Sequence, residues 1–138
     1  MKRFSLCFVI MIALFMGFTV LPGNVQAQDM GTVQVTEGNI CTDVQNRVCY
    51  NSSTRFTVPV DQLFCFTKIV GAQDDTYVTH VWYFGEIERA RVRLPVRGSS
   101  WRTWSSKIIQ PHEIGDWHVD VLGEGGQLLM VIPFEIHY

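Results

Sequence analysis

Charged residues are scarce in this chain, and their signs nearly balance. They make up 17% of the 138 residues, with 13 acidic residues against 11 lysines and arginines and a formal net charge of −2. Proteins that bind nucleic acid through its phosphates carry a clear excess of cations. We therefore expect no nucleic-acid partner.

Long apolar runs are confined to the N-terminus. The one such run, Phe4–Leu21, follows the positive pair Lys2-Arg3 and is broken by Pro22-Gly23. Val25-Gln26-Ala27 then supplies the small side chains that signal peptidase requires, so this segment is predicted to be a cleaved signal peptide. Because the run is about 18 residues long, a retained membrane anchor is the alternative.

Cleavage after Ala27 divides the chain into a signal peptide, residues 1–27, and a single domain, residues 28–138. We expect this domain to be periplasmic or extracellular and to contain no membrane span, because no second apolar run is long enough to cross a bilayer.

Cysteine is also sparse, and its spacing argues against zinc, because no Cys-x-x-Cys or His-x-x-x-His motif is present. The predicted domain retains Cys41, Cys49 and Cys65, and an exported protein is expected to form a disulfide. Three thiols allow three single bridges and leave one over, and three reduced, buried thiols are the alternative. We predict a Cys41–Cys65 bridge with Cys49 free, because an antiparallel pairing of residues 40–49 with residues 57–66 would set Cys41 opposite Cys65.

No segment of the predicted domain shows a sustained helical period. β-Branched and aromatic residues occur instead in short runs with turn signals about every 8 to 12 residues, which is typical of a sandwich or barrel. Tyr77–Phe84 with Glu88–Val96, and Trp117–Leu122 with Leu128–Ile136, are predicted hairpins, and Ile40–Val48 is predicted to be a single strand. The fold class is therefore all-β, an immunoglobulin-like antiparallel β-sandwich of seven to eight short strands after an N-terminal signal helix.

One predicted strand, Glu88–Arg97, has two sharply different faces. Since side chains alternate across a strand, Ala90, Val92, Leu94 and Val96 fall on one side and Arg89, Arg91, Arg93 and Arg97 on the other. The apolar side must face the core, because a slip of one residue would bury the charges.

Several short motifs resemble a known family. They are Thr79-His80-Val81-Trp82-Tyr83, Ala90-Arg91-Val92, Leu94-Pro95-Val96-Arg97, Trp101-Arg102-Thr103-Trp104-Ser105-Ser106-Lys107 and Gly115-Asp116-Trp117-His118-Val119-Asp120-Val121. Together they resemble the bacterial domain of unknown function 2914 family over roughly residues 40–136. The resemblance implies a bacterial envelope or exported domain and is consistent with an all-β fold. That family has no assigned activity, so the resemblance implies no catalytic residues.

The candidate binding surface is the arginine row with the tryptophans beside it. Arginine stacks on indole rings and binds carboxylates in a bidentate manner, so such a face suits an acidic glycan or an envelope protein. The alternative is an internal lattice in which the arginines pair with carboxylates of neighbouring strands and the tryptophans fill the core. The candidate residues are Arg89, Arg91, Arg93, Arg97, Trp101, Arg102 and Trp104.

We predict a non-catalytic binding or adaptor module of the cell envelope, with no catalytic residues, cofactor or metal. His80 shares a strand face with Trp82, and His118 shares one with Asp120, and a structural role is expected for these histidines. Two alternatives remain open: a purely structural envelope domain, and a hydrolase with an unrecognised site. A pocket that joins a histidine to a carboxylate would favour the hydrolase.

Overall fold

The computed structural model describes residues 32–138, and the predicted signal peptide lies outside this range. Strands are the only regular secondary structure in this part of the chain besides turns, in agreement with the all-β prediction. The ten strands are β1 (Gln34–Cys41), β2 (Asp43–Gln45), β3 (Val48–Tyr50), β4 (Arg55–Thr57), β5 (Gln62–Val70), β6 (Thr76–Phe84), β7 (Ile87–Val96), β8 (Ser100–Ile108), β9 (Gly115–Leu122) and β10 (Leu128–His137).

The strands form two main sheets and one small hairpin. The small sheet has the order β1-β5-β8, the large sheet has the order β4-β10-β9-β6-β7, and β2 pairs with β3 alone. All pairs are antiparallel except the short pairing of β4 with β10. The two main sheets enclose a common apolar core, so the predicted sandwich is confirmed.

Both hairpins predicted from the sequence are present, as β6–β7 and β9–β10. The strand count exceeds seven to eight because the segment predicted as one strand, Ile40–Val48, is broken. The chain leaves β1 after Cys41 and turns back on itself at Asn46-Arg47, which gives the additional hairpin β2–β3.

The core between the sheets is built around two fully buried tryptophans. Trp82 of β6 and Trp117 of β9 lie on the inner face of the large sheet, and both pack against the ring of Phe134. Burial of one large aromatic side chain contributes roughly 3 kcal/mol. Both tryptophans therefore lie between the two sheets.

A hydrogen-bonded polar cluster, the His80 cluster, joins the two sheets inside this core. The His80 ring bonds through Nε2 to Thr67 Oγ1 at 3.1 Å and through Nδ1 to Ser105 Oγ at 2.7 Å. Thr67 donates its own hydroxyl to the Thr103 carbonyl, so Thr67 accepts from His80 Nε2–H and His80 Nδ1 accepts from Ser105. Trp82 Nε1 donates to Ser105 Oγ. Every polar side-chain atom of the cluster is paired, which makes it a rigid link between sheets.

The predicted Cys41–Cys65 disulfide is wrong. Cys41 is bonded to Cys49, with their Cα atoms 5.8 Å apart, and Cys65 is a free, buried thiol. The actual register of β1 on β5 places Cys41 opposite Phe64 and Ile40 opposite Cys65, one residue away from the predicted pairing. That shift puts Cys41 on the outer face of the small sheet and Cys65 on its inner face, where the two thiols cannot meet.

Peptide mapping without reduction should confirm this pairing. Trypsin cuts after Arg47 and Arg55 and so separates the three cysteines; we expect the peptide ending at Arg47 to be linked to the peptide 48–55. Burial raises the pKa of the Cys65 thiol far above its usual value, so Cys65 should resist thiol reagents until the protein is unfolded. Any bridge that contains Cys65 would contradict the assignment.

Within residues 32–138, no helix has the length and hydropathy that crossing a membrane requires.

Candidate functional site

Arg89, the first member of the predicted arginine row, has a structural role, because its guanidinium group is engaged by a buried carboxylate. Arg89 forms an ion pair with Glu113, whose side chain is 0% exposed. The second carboxylate oxygen of Glu113 accepts the backbone N–H of Gln110 at 2.9 Å, and its carbonyl accepts Trp117 Nε1–H. Arg89 therefore neutralises a buried carboxylate that organises the β8–β9 connection, as the lattice alternative predicted.

The next two arginines lie exposed on the outer face of the large sheet, but each has a local partner. Arg91 forms a side-chain ion pair with Glu88 three residues earlier, at 2.6 Å. The Arg93 guanidinium carbon lies 3.4 Å from the centroid of the Tyr77 ring on β6. Arg97 follows β7 at the corner between the sheets and is exposed. The row is thus divided among separate environments and does not form one continuous surface.

The remaining candidates lie on β8, which is one of the two edge strands of the small sheet. Arg102 and Trp104 are exposed on its outer face, and Trp104 stacks on the buried Phe66 of β5 with ring centroids 6.2 Å apart. Trp101 is half-buried on the opposite face and packs against the core. The Phe66 contact holds Trp104 in place and leaves 37% of that residue exposed.

The β2–β3 hairpin brings one further arginine to this place. Its two turn residues, Asn46 and Arg47, have φ angles of 50° and 59°, as a two-residue type I′ turn requires. Asparagine adopts positive φ readily, but the second position is normally glycine, and arginine there costs about 1 kcal/mol. The Cys41–Cys49 disulfide attaches the hairpin to the small sheet.

These residues form a cavity of about 300 Å³, which we name the Trp–Arg cavity. Among residues 32–138, neither Arg47 nor Arg102 takes part in an ion pair. Thr103 and Pro95 complete the wall, so none of the described carboxylates, histidines or cysteines lines the cavity. Its lining is Arg47, Pro95, Trp101, Arg102, Thr103 and Trp104.

The strand register adds a third cation beside the cavity. Lys68 of β5 lies directly opposite Arg102 of β8 on the outer face. Like charges in this relation repel and destabilise a sheet, and only Lys68 is partly compensated, by Glu37 at 3.9 Å. An anion beside Arg102 would relieve this repulsion.

A larger depression, which we name the acidic groove, lies on the outer face of the large sheet and has a volume of about 750 Å³. It contains the ion pair of Arg55 with Glu135 at 3.3 Å, and His118 Nε2 lies 3.7 Å from a carboxylate oxygen of Asp120. Asp116 is exposed beside them and has no ion-pair partner within the described residues. The groove is lined by Thr54, Arg55, Asp116, Trp117, His118, Asp120, Val131, Pro133, Phe134 and Glu135.

Sequence analysis found part of each site. Trp101, Arg102 and Trp104 were candidates, but Arg47 was missed because it was assigned to the predicted strand Ile40–Val48. Asn46 alone was a signal for a turn, because asparagine adopts positive φ readily, whereas Arg47 stands where such turns normally have glycine. The shared face of His118 and Asp120 was recognised, although not its place in a groove.

The segment from β6 to β10 carries all five motifs that resemble the family. Residues 75–136 match the family described as protein of unknown function, DUF2914. The resemblance is therefore confirmed over these residues, which supply four strands of the large sheet and one of the small sheet. The DUF2914 match includes Trp101, Arg102 and Trp104, whereas Arg47 and all three cysteines of the domain precede it. No curated protein matches the chain.

No group of three or more histidine, cysteine or acidic side chains in residues 32–138 is arranged to hold a metal ion.

Proposed function

We propose that the protein is an exported, non-catalytic binding module that holds an anionic ligand, the carboxylate of an acidic glycan, in the Trp–Arg cavity. One observation carries the proposal: two arginines that take part in no ion pair of the described residues line one cavity together with two tryptophans. The secretory pattern of residues 1–27 supports the exported location.

The residue types fit such a ligand. A guanidinium group binds a carboxylate through two parallel, charge-assisted hydrogen bonds. Indole rings offer a large apolar surface at little conformational cost, and Trp and Arg are the residues most enriched at binding hot spots. The volume of about 300 Å³ is at the lower limit for ligand sites, so one sugar ring of a longer glycan would occupy it.

The conformation of Arg47 supports a functional role for this side chain. A non-glycine residue kept at positive φ costs stability, and such strain is concentrated at functional sites. Glycine would satisfy the turn without that cost but would remove one of the two cations. The absence of an acid–base group from the cavity lining fits binding without catalysis.

The second candidate function is a hydrolase in the acidic groove, which the pairing of His118 with Asp120 favours. The lining of that groove offers one hydroxyl, that of Thr54, and no serine or cysteine nucleophile. Loss of a measured hydrolase activity in His118→Gln would support this candidate. The Trp–Arg cavity would be unaffected by that substitution.

Binding of an acidic oligosaccharide tests the main proposal, with oligogalacturonate as the probe and its methyl ester as the uncharged control. Calorimetry should show binding to the acid form only. Arg47→Gly and Arg102→Ala should each weaken it by about tenfold or more, because each removes a charge-assisted hydrogen bond worth roughly 1.5–3 kcal/mol.

Arg91→Ala is the matched control, because it removes an exposed arginine outside the cavity and should leave the affinity unchanged. Arg47→Gly should not lower the free energy of unfolding, since it relieves a strained turn. Equal binding of the methyl ester, or equal affinity of all three variants, would overturn the proposal.

A further inference from the structure

We infer that the acidic groove is a second binding site, which takes a short, basic polypeptide segment in extended conformation along the free edge of β10. This site goes beyond the proposed function, because it lies on the other sheet and takes a ligand of opposite charge.

The free edge is visible in the pairing of β10. One side of this ten-residue strand pairs with β9 over most of its length. The other side pairs with β4 over Glu135, Ile136 and His137 alone. Between residues 128 and 134 this second edge pairs with no strand of the described chain, although it belongs to the larger of the two sheets.

The direction of the backbone groups follows from the bonds that β4 makes. The Glu135 N–H donates to the Thr54 carbonyl, and the His137 carbonyl accepts the Val58 N–H. Backbone groups alternate between the two edges of a strand, so Val131 and Pro133 face the same edge as Glu135 and His137. Val131 presents an N–H and a carbonyl there, and Pro133 presents a carbonyl.

There is open space beside these groups. Pro133 lines the acidic groove on one side and a cavity of about 270 Å³ at the seam between β1 and β10 on the other. Val131 is 46% exposed. An extended peptide could therefore reach the edge of β10 and add to the sheet through its main chain, as edge-binding peptides do.

Charge selects which peptide fits. The groove holds three carboxylates, those of Asp116, Asp120 and Glu135, against one guanidinium, that of Arg55. Glu135 is compensated by Arg55 at 3.3 Å, whereas the exposed Asp116 has no ion-pair partner in the described part of the chain. A lysine or arginine side chain projecting from the added strand would supply the missing cation.

Pro133 limits the length of the added segment. Proline offers no N–H, so the edge lacks one donor and cannot continue a long ladder. A proline on an exposed edge is a device by which sheets avoid pairing with other sheets. The edge accordingly suits a segment of a few residues more than a second copy of this chain.

The inference is tested with a synthetic lysine-valine hexapeptide, KVKVKV with blocked ends, and the otherwise identical glutamate-valine peptide. Amide shifts of the purified protein in a ¹⁵N NMR titration should be largest around Val131 for the lysine peptide and absent for the glutamate peptide. Two further lysine peptides carry N-methyl groups, one on its odd-numbered residues and the other on its even-numbered residues. One of the two should bind at least tenfold more weakly, because its methyl groups remove the N–H donors that face β10.

The double substitution Asp116→Asn with Asp120→Asn should also lower the affinity for the lysine peptide at least tenfold. Asp74→Asn, in the β5–β6 loop, is the matched control and should have no effect. Arg102→Ala should leave peptide binding intact, which separates this site from the Trp–Arg cavity. The inference would be overturned if both N-methylated peptides bound as tightly as the unmethylated one, or if the double substitution left the affinity unchanged. Concentration-dependent dimerisation through Val131 in the absence of peptide would also overturn it.

Discussion

Arg89→Ala should lower the free energy of unfolding by about 3 kcal/mol, the lower end of the cost of breaking a buried ion pair, because the Arg89 side chain is 31% exposed. Glu113 is completely buried, and Arg89 is the cation that pairs with its carboxylate among the described residues. Without the guanidinium, the carboxylate keeps the Gln110 N–H but no opposite charge. Urea denaturation at neutral pH measures the loss.

Two variants separate this effect from a general sensitivity of β7. Arg91→Ala removes an exposed ion pair of the same strand and should change the free energy of unfolding by less than about 1 kcal/mol. Arg89→Ala combined with Glu113→Gln removes the unpaired charge and should recover a large part of the stability. Equal losses in Arg89→Ala and Arg91→Ala would contradict the role assigned to the Arg89–Glu113 pair.

Acid should destabilise the fold through the His80 cluster by about 3 kcal/mol. Burial lowers the pKa of His80 to about 4, from an ordinary value of 6.5. Between these two values the unfolded chain binds a proton that the folded protein does not, so stability falls as the pH falls. The His80 contribution is complete above about pH 6.5 and is lost by about pH 4; a shift of one pKa unit corresponds to 1.36 kcal/mol.

The hydrogen bonds of His80 explain why the folded protein resists this proton. Nδ1 already accepts the Ser105 hydroxyl, and Ser105 Oγ accepts Trp82 Nε1–H. A proton on Nδ1 would leave the Ser105 hydroxyl without that acceptor inside the core. Burial of an unpaired polar group adds to the cost of burying the charge.

Urea titrations at a series of pH values, compared between the wild type and His80→Gln, isolate this contribution. The glutamine amide can still accept from Ser105 and donate to Thr67, but it does not titrate, so the loss between pH 6.5 and pH 4 should be smaller by about 3 kcal/mol. His112→Gln replaces an exposed histidine and should leave the wild-type profile unchanged. An identical pH profile for the wild type and His80→Gln would be inconsistent with a neutral, buried His80.

The Arg89–Glu113 pair and the His80 cluster show that some of the candidate residues stabilise the fold, whereas others lie on the surface. Arg89 and His80 satisfy polar groups inside the fold, as the lattice alternative predicts. Arg102, together with Arg47, is exposed at a cavity that no acidic residue of the described range 32–138 lines. The recognition proposal therefore depends on the arginines of β8 and the β2–β3 hairpin and not on the arginines of β7.

Local patterns in the sequence determined the strands and their faces. The alternation from Glu88 to Arg97 predicted an inner apolar side and an outer charged side, because successive side chains of a strand point in opposite directions. The glycine at position 85 and the glycine-rich segment 123–126 marked the two hairpin turns. Both features depend on residues a few positions apart, so neither requires knowledge of the rest of the fold.

Tertiary structure alone decided the disulfide and both candidate sites. Cys41 was predicted to pair with Cys65 through a register that is off by one residue, and a period-two pattern cannot detect such a slip until the partner strand is known. Arg47 and Arg102 are 55 positions apart in the sequence, and they line the same cavity because the β2–β3 hairpin folds back onto the small sheet. Contacts between distant segments likewise decide which carboxylate pairs with Arg89, which strands pair with β10 and where its edge beside Pro133 stays open. Packing of the whole core sets these contacts, and the order of neighbouring residues does not.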